Sequence, residues 1–229
     1  MKILQFSGGK DSLACLYLLK REWNTLNVVW VNSGAAYDET LEYMKYWRAK
    51  LPNFIEVIGN QPQQIAEEGW PSDIVPINDT TFGRNFIESD RPKIQSYLNC
   101  CANNIWHPMV NFIKTAGVTH IIRGQRDADD RRSSIKNGDI IDGIKYDFPI
   151  YHWSDSEVFS FLKYEGAYIP DYYSKGEKTG RDCWDCTAYL EENKARINNL
   201  PSDKRDIVCG RIEKIRAAIM DSALGSWES

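Results

Sequence analysis

Residues 2–12 of this 229-residue chain read KILQFSGGKDS, and this stretch decides the fold that we expect. Residues 2–6 form an apolar run of strand length, and Ser-Gly-Gly then makes a turn. Apolar side chains follow at Leu13, Leu16 and Tyr17, with the i, i+3, i+4 spacing of a helix. Such a turn favours phosphate binding, because glycine lets phosphate oxygens approach backbone amides at the positive end of the helix. We therefore predict a phosphate-binding loop that consists of Ser7, Gly8, Gly9, Lys10, Asp11 and Ser12.

Two charged side chains make this loop a candidate for phosphate chemistry. Lys10 supplies a positive point charge, and Asp11 supplies a carboxylate for magnesium or for a backbone amide. We take both as catalytic candidates. The loop lacks the spacing of a Walker A motif, which places four residues between its first glycine and its Gly-Lys pair. An ordinary glycine-rich turn between a strand and a helix is the alternative interpretation.

The segments after the loop continue the alternation of strands and helices. Residues 27–31 and 54–58 have the composition of strands, and residues 38–50 carry the apolar face of a helix between them. This βαβαβ order predicts a doubly wound, mostly parallel α/β sheet with right-handed crossovers. Ligands of such sheets bind beyond the carboxyl ends of the strands, where Ser7 and Ser33 would both lie.

Several later elements have local signals of their own. Residues 59–92 predict an irregular excursion with one short helix near residues 63–68, and residues 103–116 predict a longer helix before a strand at 118–123. Asp142-Gly143 predicts the turn of a hairpin. Residues 154–157, Ser-Asp-Ser-Glu, predict a capping box at the start of a helix.

The composition excludes several classes of protein. The chain has 28 basic and 32 acidic residues, a net charge of −4 and 42% hydrophobic residues, which suits a globular domain with a sizeable core. No apolar run reaches 18 residues, and the N-terminus does not resemble a secretory signal, so we expect a cytoplasmic protein without membrane association. The acidic balance argues against sequence-independent duplex binding through a general basic face, but it leaves a local basic site open.

Four arginines follow the predicted strand at residues 118–123 within ten residues of one another. Guanidinium groups bind phosphate and sulfate through two parallel hydrogen bonds, so this segment is a candidate anion site. The alternative is a solvated loop in which the aspartates at positions 127, 129 and 130 neutralise the arginines. The arginines are Arg123, Arg126, Arg131 and Arg132.

The six cysteines divide into two groups. Cys15 and Cys209 lie among apolar residues in helical patterns, where buried inert thiols are common. The other four form a CC pair and, 81 residues later, a CxxC pair, and two such pairs suit an iron–sulfur cluster or a structural zinc ion. Free or disulfide-bonded cysteines are the remaining alternative. The four candidate metal ligands are Cys100, Cys101, Cys183 and Cys186.

Several of these motifs together resemble a known family. SGGKDS at residues 7–12 resembles the PP-loop of the adenine nucleotide α-hydrolase-like superfamily, which includes ATP pyrophosphatases, the small subunit of ATP sulfurylase and the APS and PAPS reductases. NSGAAYDET at 32–40 is similar to the second-strand motif of the superfamily, and RGQRD at 123–127 to the arginine loop of the reductases. Residues 151–170 resemble the segment that leads into the terminal cysteine pair of the family.

The resemblance to the PAPS reductase family implies a fold, a site and cofactors. It implies a Rossmann-like PP-loop nucleotide-binding domain over residues 1–187, with residues 188–229 as a helical extension packed on it. It adds Ser33, Gly34 and Gly124 to the residues that bind the nucleotide. It makes Arg126 a catalytic candidate, and it assigns sulfate or phosphate to Arg126, Arg131 and Arg132. The pattern of cysteine pairs is similar to that of APS reductases, which implies a 4Fe-4S cluster, with zinc as the less favoured metal.

The phosphate loop also decides which reaction we expect. Reductases of the family usually have a degenerate loop, whereas residues 8–12 are complete, as in members that cleave ATP at the α-phosphate. We therefore expect ATP with magnesium and adenylation of a substrate in sulfur transfer or sulfur assimilation. The second substrate would be anionic or a nucleic acid, with a sulfur or thiol donor, and the oligomeric state stays open.

Two alternative functions remain at this point. One is reduction of APS or PAPS to sulfite, although the reductase tail with its Glu-Cys-Gly motif is replaced by Val208-Cys209-Gly210. The other is a non-enzymatic nucleotide-binding subunit in which the four cysteines hold a structural zinc ion.

Overall fold

A mostly parallel sheet forms the centre of the protein. The computed structural model describes residues 1–129 and 133–222. Its strands are β1 (Lys2–Gln5), β2 (Asn27–Asn32), β3 (Phe54–Ile58), β4 (Trp70–Ser72), β5 (Ile94–Ser96), β6 (His120–Ile122), β7 (Ile140–Ile141) and β8 (Ile144–Asp147). Six of these pair in the order β3-β2-β1-β6-β8-β7, and only the β7–β8 pair is antiparallel within the described residues. β4 and β5 form a separate parallel pair.

Helices cover both faces of the sheet, as a doubly wound fold requires. They are α1 (Lys10–Leu18), α2 (Asp38–Lys50), α3 (Gln61–Glu68), α4 (Tyr97–Cys101), α5 (His107–Thr115), α6 (Asp155–Tyr164), α7 (Leu190–Asn198) and α8 (Ser202–Met220). Side chains of α1, α2 and α6 pack with Leu4 in one cluster, and Ile113 of α5 packs with Ile3 in another. The neighbouring residues Ile3 and Leu4 of β1 thus face opposite helical layers and are both fully buried, which is why the centre of this strand is apolar on both faces.

The strand order places a crevice at the end of β1. β1 pairs with β2 on one side and with β6 on the other, so the chain leaves the sheet in opposite directions from these neighbours. In an open parallel sheet, ligands bind in the crevice outside the carboxyl ends of the strands at such a reversal. The Ser7–Ser12 loop and the arginine loop both begin at this edge of the sheet.

The hairpin and the capping box are confirmed. The turn between β7 and β8 has positive φ at Asp142 (51°) and Gly143 (77°), as a type I′ turn needs. Ser154 accepts a hydrogen bond from the Glu157 amide, and the Glu157 carboxylate accepts one from the Ser154 amide.

Two predictions in the middle of the chain need correction. The excursion at residues 59–92 contains α3, as expected, but also β4, which pairs with β5 instead of staying irregular. The helix predicted from residue 103 begins at Tyr97 as α4 and passes through a π-helical segment, Ala102–Trp106, before α5. That segment lies against the crevice and widens the helix there.

The C-terminal part consists of α7 and α8, which pack on the first part of the chain. Leu200 and Val208 form an apolar cluster with Tyr37, and Ile215 packs against Ile94. The division of the chain at residue 187 remains a prediction. Among the described residues no helix is both long and apolar enough to cross a membrane.

Candidate functional site

The Ser7–Ser12 loop is tied to itself by short contacts. The Ser12 hydroxyl donates to the Gly9 carbonyl (3.0 Å) and lies 3.2 Å from the Ser7 hydroxyl. Gly8 has φ +79°, and a Cβ there would lie 2.6 Å from Cε of Met44. Glycine is therefore favoured at position 8 by the backbone conformation, and a Cβ there would also displace the end of the Met44 side chain.

A tyrosine from a distant segment accepts a hydrogen bond from one backbone amide of the loop. The Lys10 amide donates to the Tyr173 hydroxyl over 2.8 Å, and a Cβ on Gly9 would lie 3.2 Å from the same oxygen. Burial raises the pKa of Tyr173, so the group at this position is a neutral hydroxyl. The loop that we predicted for phosphate thus presents its Lys10 amide to a protein oxygen.

The Lys10 side chain is buried and paired with two carboxylates. Its ammonium nitrogen lies 2.8 Å from Asp11 Oδ2 and 3.0 Å from Asp155 Oδ1, and the residue is 4% exposed. Asp155 is the first residue of α6, immediately after the capping serine. Burial by itself would raise the pKa of Asp155, but Lys10 and Arg126 hold that pKa below its usual value.

Arg126 belongs to the same cluster of charges. Its guanidinium contacts Asp11 (3.1 Å), Asp129 (3.0 Å) and Asp155 (2.9 Å). Burial lowers the pKa of Arg126, but these three carboxylates outweigh it and raise the pKa above its usual value. The candidate anion-binding arginine is therefore neutralised by carboxylates, and Asp129 of the arginine loop is one of them. Arg131 and Arg132 lie outside the described residues.

A cavity of about 500 Å³ opens at the carboxyl ends of the strands. We call it the strand-end cavity; Ser7 and Ser12 border it on one side, Arg123 and Gln125 on another, and Trp106 and Met109 on a third. Asp11 and Gly124 also border it, whereas Lys10 borders a separate open cleft. The volume is within the range of small-molecule sites, which are about 300–1,000 Å³.

Gly124 has a packing role that the sequence did not reveal. A Cβ at this position would lie 2.6 Å from the carbonyl carbon of Asp11 and 2.6 Å from the Ser12 amide nitrogen. The loop after β6 can therefore approach the first turn of α1 only because residue 124 has no side chain. This approach brings the arginine loop and the phosphate loop together.

Ser33 and Gly34 do not reach the strand-end cavity. Ser33 is 2% exposed, and its hydroxyl lies 3.2 Å from the Cys183 sulfur. Gly34 has φ +89° and packs against the chain at residues 59–62. Ser33 connects β2 to the cysteine-bearing segment, and neither residue borders the cavity beside Ser7.

The four paired cysteines converge on one small cavity. Cys100, Cys101, Cys183 and Cys186 all border a space of about 20 Å³, which we call the cysteine cavity. Burial, followed by the negative charge of neighbouring thiolates, raises the pKa of Cys100 to about 12; burial and Cys186 raise that of Cys101 to about 11. Without a bound cation, these thiols stay protonated at neutral pH.

The fit of a metal to this cavity is partial. Four sulfur donors from two distant segments match a tetrahedral zinc ion or an iron–sulfur cluster in type and number. The arrangement of these sulfur atoms does not match a metal site, since among the described residues no three side chains are spaced to hold one metal ion. The other two cysteines stand apart: Cys15 is buried as expected, but Cys209 is exposed on α8, so its predicted burial is wrong.

Comparison with known proteins identifies related sequences and a related fold. The sequence profile of the phosphoadenosine phosphosulfate reductase domain matches residues 2–189. Two uncharacterized proteins of Methanocaldococcus jannaschii, MJ0973 and MJ0066, are 24% and 26% identical over 85% and 81% of this chain. The chain spans only 43% and 36% of their lengths. A crystal structure of phosphoadenylyl-sulfate (PAPS) reductase from Candida auris, a phosphate complex, has a similar fold (TM-score 0.56, 12% identity) over 79% of this chain and 80% of that one.

Proposed function

Because the chain belongs to the phosphoadenosine phosphosulfate reductase family, we propose that it binds an adenine nucleotide in the strand-end cavity, with its phosphates against the loop of Ser7–Ser12. The observation that carries this proposal is the position of Ser7 and Ser12 in the wall of a ligand-sized cavity at the reversal of strand order. The apolar wall around Trp106 and Met109 suits the base and sugar.

The nucleotide that we propose is ATP with magnesium. The carboxylate oxygen Oδ1 of Asp11 is buried and accepts no hydrogen bond from the described residues, although Arg126 Nε lies 3.1 Å away. A buried carboxylate oxygen with a free lone pair is a suitable ligand for a hard cation such as Mg²⁺. When bound, the ion would neutralise charge on the phosphate chain.

The reaction that we propose is transfer of the adenylyl group. An oxygen of the second substrate attacks the α-phosphorus, the bond from that phosphorus to the bridging oxygen breaks, and pyrophosphate leaves with the electron pair. The amides of the Ser7–Ser12 loop would stabilise the negative charge on the phosphate oxygens, mainly by being held in position before the reaction. Lys10 and Arg126 border the adjoining cleft together with Asp11, and we propose that they act on the phosphates from that side.

A second cavity offers a place for the acceptor. It has about 380 Å³ and is bordered by Ser7 and Gly8 of the loop, by Tyr43 and Tyr172, and by Arg181. Ser7 also borders the strand-end cavity, so one residue separates the two spaces. We assign the nucleotide to the strand-end cavity and the second substrate to this one.

We also propose a 4Fe-4S cluster in the cysteine cavity, with zinc as the alternative metal. The four thiols that border this cavity are the ligands. A cluster would supply a site for electron or sulfur transfer close to the nucleotide, and Ser33, beside Cys183, connects the cysteine-bearing segment to β2.

Measurement of pyrophosphate release by anaerobically purified protein tests the adenylation. The protein is incubated with ATP, magnesium and a panel of carboxylate, amide and nucleic-acid acceptors, and Ser12→Ala should lower the rate at least about tenfold because a hydroxyl at the phosphates is lost. Ser160→Ala, an exposed serine of α6, is the matched control. Sulfite formation from APS or PAPS, with no pyrophosphate from ATP, would instead identify a reductase.

A further inference from the structure

The strand-end cavity contains a second arginine whose surroundings differ from those of Arg126. Arg123 follows β6 directly and borders the cavity. Its Nε donates to Gln5 Oε1 over 2.6 Å, and its Nη1 lies 3.4 Å from the Ser133 hydroxyl. No carboxylate within the described residues forms an ion pair with Arg123, whereas Arg126 contacts three.

The burial of this uncompensated charge is costly. A charged group that leaves water loses hydration energy, and proteins normally recover it with an opposite charge. Burial lowers the pKa of Arg123, and Tyr146 acts in the opposite direction. Ile121 and Arg123 lie two residues apart and so point to the same face of the sheet, where Trp106 and Met109 form an apolar wall.

A partly buried cation that borders a ligand-sized cavity and forms no ion pair with a described carboxylate is suited to an anion from outside. We propose that Arg123 binds a phosphate or sulfate group of the nucleotide in the strand-end cavity and thereby selects the nucleotide. This inference rests on the proposed function, because it assumes that the cavity binds a nucleotide. It assigns the selective cation to Arg123, whose guanidinium forms no ion pair within residues 1–129 and 133–222, whereas Arg126 contacts three carboxylates.

Two parts of a nucleotide could supply the anionic group: the chain on the 5′ oxygen and a phosphate on the ribose. The affinities of adenosine, AMP and adenosine 3′,5′-bisphosphate are measured by titration calorimetry for the wild-type chain and for Arg123→Gln. Arg21→Gln, at an exposed arginine away from the cavity, is the matched control. Arg123→Lys keeps the charge without the planar fork and should give an intermediate affinity.

We expect Arg123→Gln to weaken binding of a phosphorylated ligand at least about tenfold while adenosine binding is unchanged, since a charge-assisted bidentate contact is lost. A loss for AMP and the bisphosphate alike identifies the 5′ group, and a loss for the bisphosphate alone identifies a ribose phosphate. An unchanged affinity for both, or an equal loss for adenosine, overturns the inference. A wild-type protein that binds none of the three ligands contradicts the proposed function itself.

A stability measurement separates ligand binding from a structural role. Arg123 forms no ion pair with a carboxylate in the part of the chain that the structure describes, so Arg123→Gln should leave the thermal unfolding temperature of the ligand-free protein unchanged or raise it. Arg126→Gln, which leaves three carboxylates without their partner, should lower it. A fall for Arg123→Gln as large as that for Arg126→Gln would show that Arg123 is structural and would overturn the inference.

Discussion

The hydroxyl of Tyr173 accepts a hydrogen bond from the backbone amide of Lys10, at 2.8 Å. Tyr173 lies in the 3₁₀ turn Asp171–Lys175, ten residues before Cys183, the first cysteine of the CxxC pair. If the loop binds phosphate as we propose, this amide would donate to a phosphate oxygen in place of the hydroxyl. The segment that carries two of the proposed metal ligands therefore also covers the phosphate loop.

Removal of this hydroxyl should free the amide for a ligand. We expect Tyr173→Phe to raise the affinity for ATP or pyrophosphate about fivefold, because a competing hydrogen bond worth about 1 kcal/mol is lost. The free energy of unfolding of the ligand-free protein should fall by a similar amount. Calorimetric titration and urea unfolding measure the two effects, and Tyr164→Phe, at a tyrosine that is 87% exposed, is the control. Weaker binding by Tyr173→Phe would show that the hydroxyl supports the ligand.

A second prediction concerns Asp155, which lies between Lys10 and Arg126. Asp155→Asn removes one of the carboxylates that neutralise these cations, so we expect inorganic phosphate to bind about fivefold more tightly. Because Asp155 is 65% exposed, the cost to stability at neutral pH should be at most about 1 kcal/mol. Equal phosphate affinity in the two proteins would contradict this account of the cluster.

The pH dependence of stability checks the same contact. The pKa of Asp155 is lower in the folded protein than its usual 3.8, so its stabilisation is present above pH 3.8 and disappears as the pH falls below that value. The unfolding free energies of the wild type and Asp155→Asn should therefore differ at pH 7 and approach each other as the pH falls below 3.8. Asp171→Asn, an exposed aspartate with no ion pair within the described residues, should show no such convergence.

The local patterns of the sequence predicted the sheet and the loop for physical reasons. The centre of β1 is buried on both faces, so it appears as an apolar run, and glycine is favoured at position 8 by a positive φ. The turn at Asp142-Gly143 and the box at Ser154 each depend on two to four neighbouring residues. A motif that depends on so few neighbouring residues can be recognised from the sequence alone.

The contacts that define the site were not predictable in the same way. Tyr173 reaches the loop across 163 positions, and Asp155 meets Lys10 across most of the domain, so neither contact leaves a local pattern. β4 contains Pro71, which argued against a strand, and it is only three residues long. The different roles of Arg123 and Arg126 depend on which carboxylates fold next to each, and the spacing of the arginines says nothing about that.

A third prediction tests the close approach of the two loops. Gly124→Ala places a Cβ 2.6 Å from backbone atoms of Asp11 and Ser12, which cannot move without displacing the start of α1. We expect a loss of about 1–3 kcal/mol in the free energy of unfolding, together with weaker nucleotide binding. Gly210→Ala is the matched control, because its Cβ meets no atom within 4 Å and lies in α8, where alanine gains about 0.5–1 kcal/mol. Similar stabilities for the two variants in urea unfolding would contradict the packing role of Gly124.

The last prediction concerns the cysteine cavity. Serine is substituted singly for each thiol that borders it, at Cys100, Cys101, Cys183 and Cys186. Each variant should lose most of the metal that the anaerobically purified wild type carries, because a hydroxyl is a poor ligand for a soft metal. Iron, sulfide and zinc are quantified together, and we expect iron and sulfide in equal amounts.

Cys209→Ser is the control for this series, since that thiol is exposed on α8 and does not border the cysteine cavity. It should retain the full metal content of the wild type. The metal-loaded wild type should also unfold at a higher temperature than the cavity variants, because a ligand bound only to the folded state stabilises it. One zinc per chain without iron would show that the cavity holds a structural zinc ion and not a cluster. Wild-type protein that contains neither metal, or cavity variants that keep all of it, would show that the four thiols converge for packing alone.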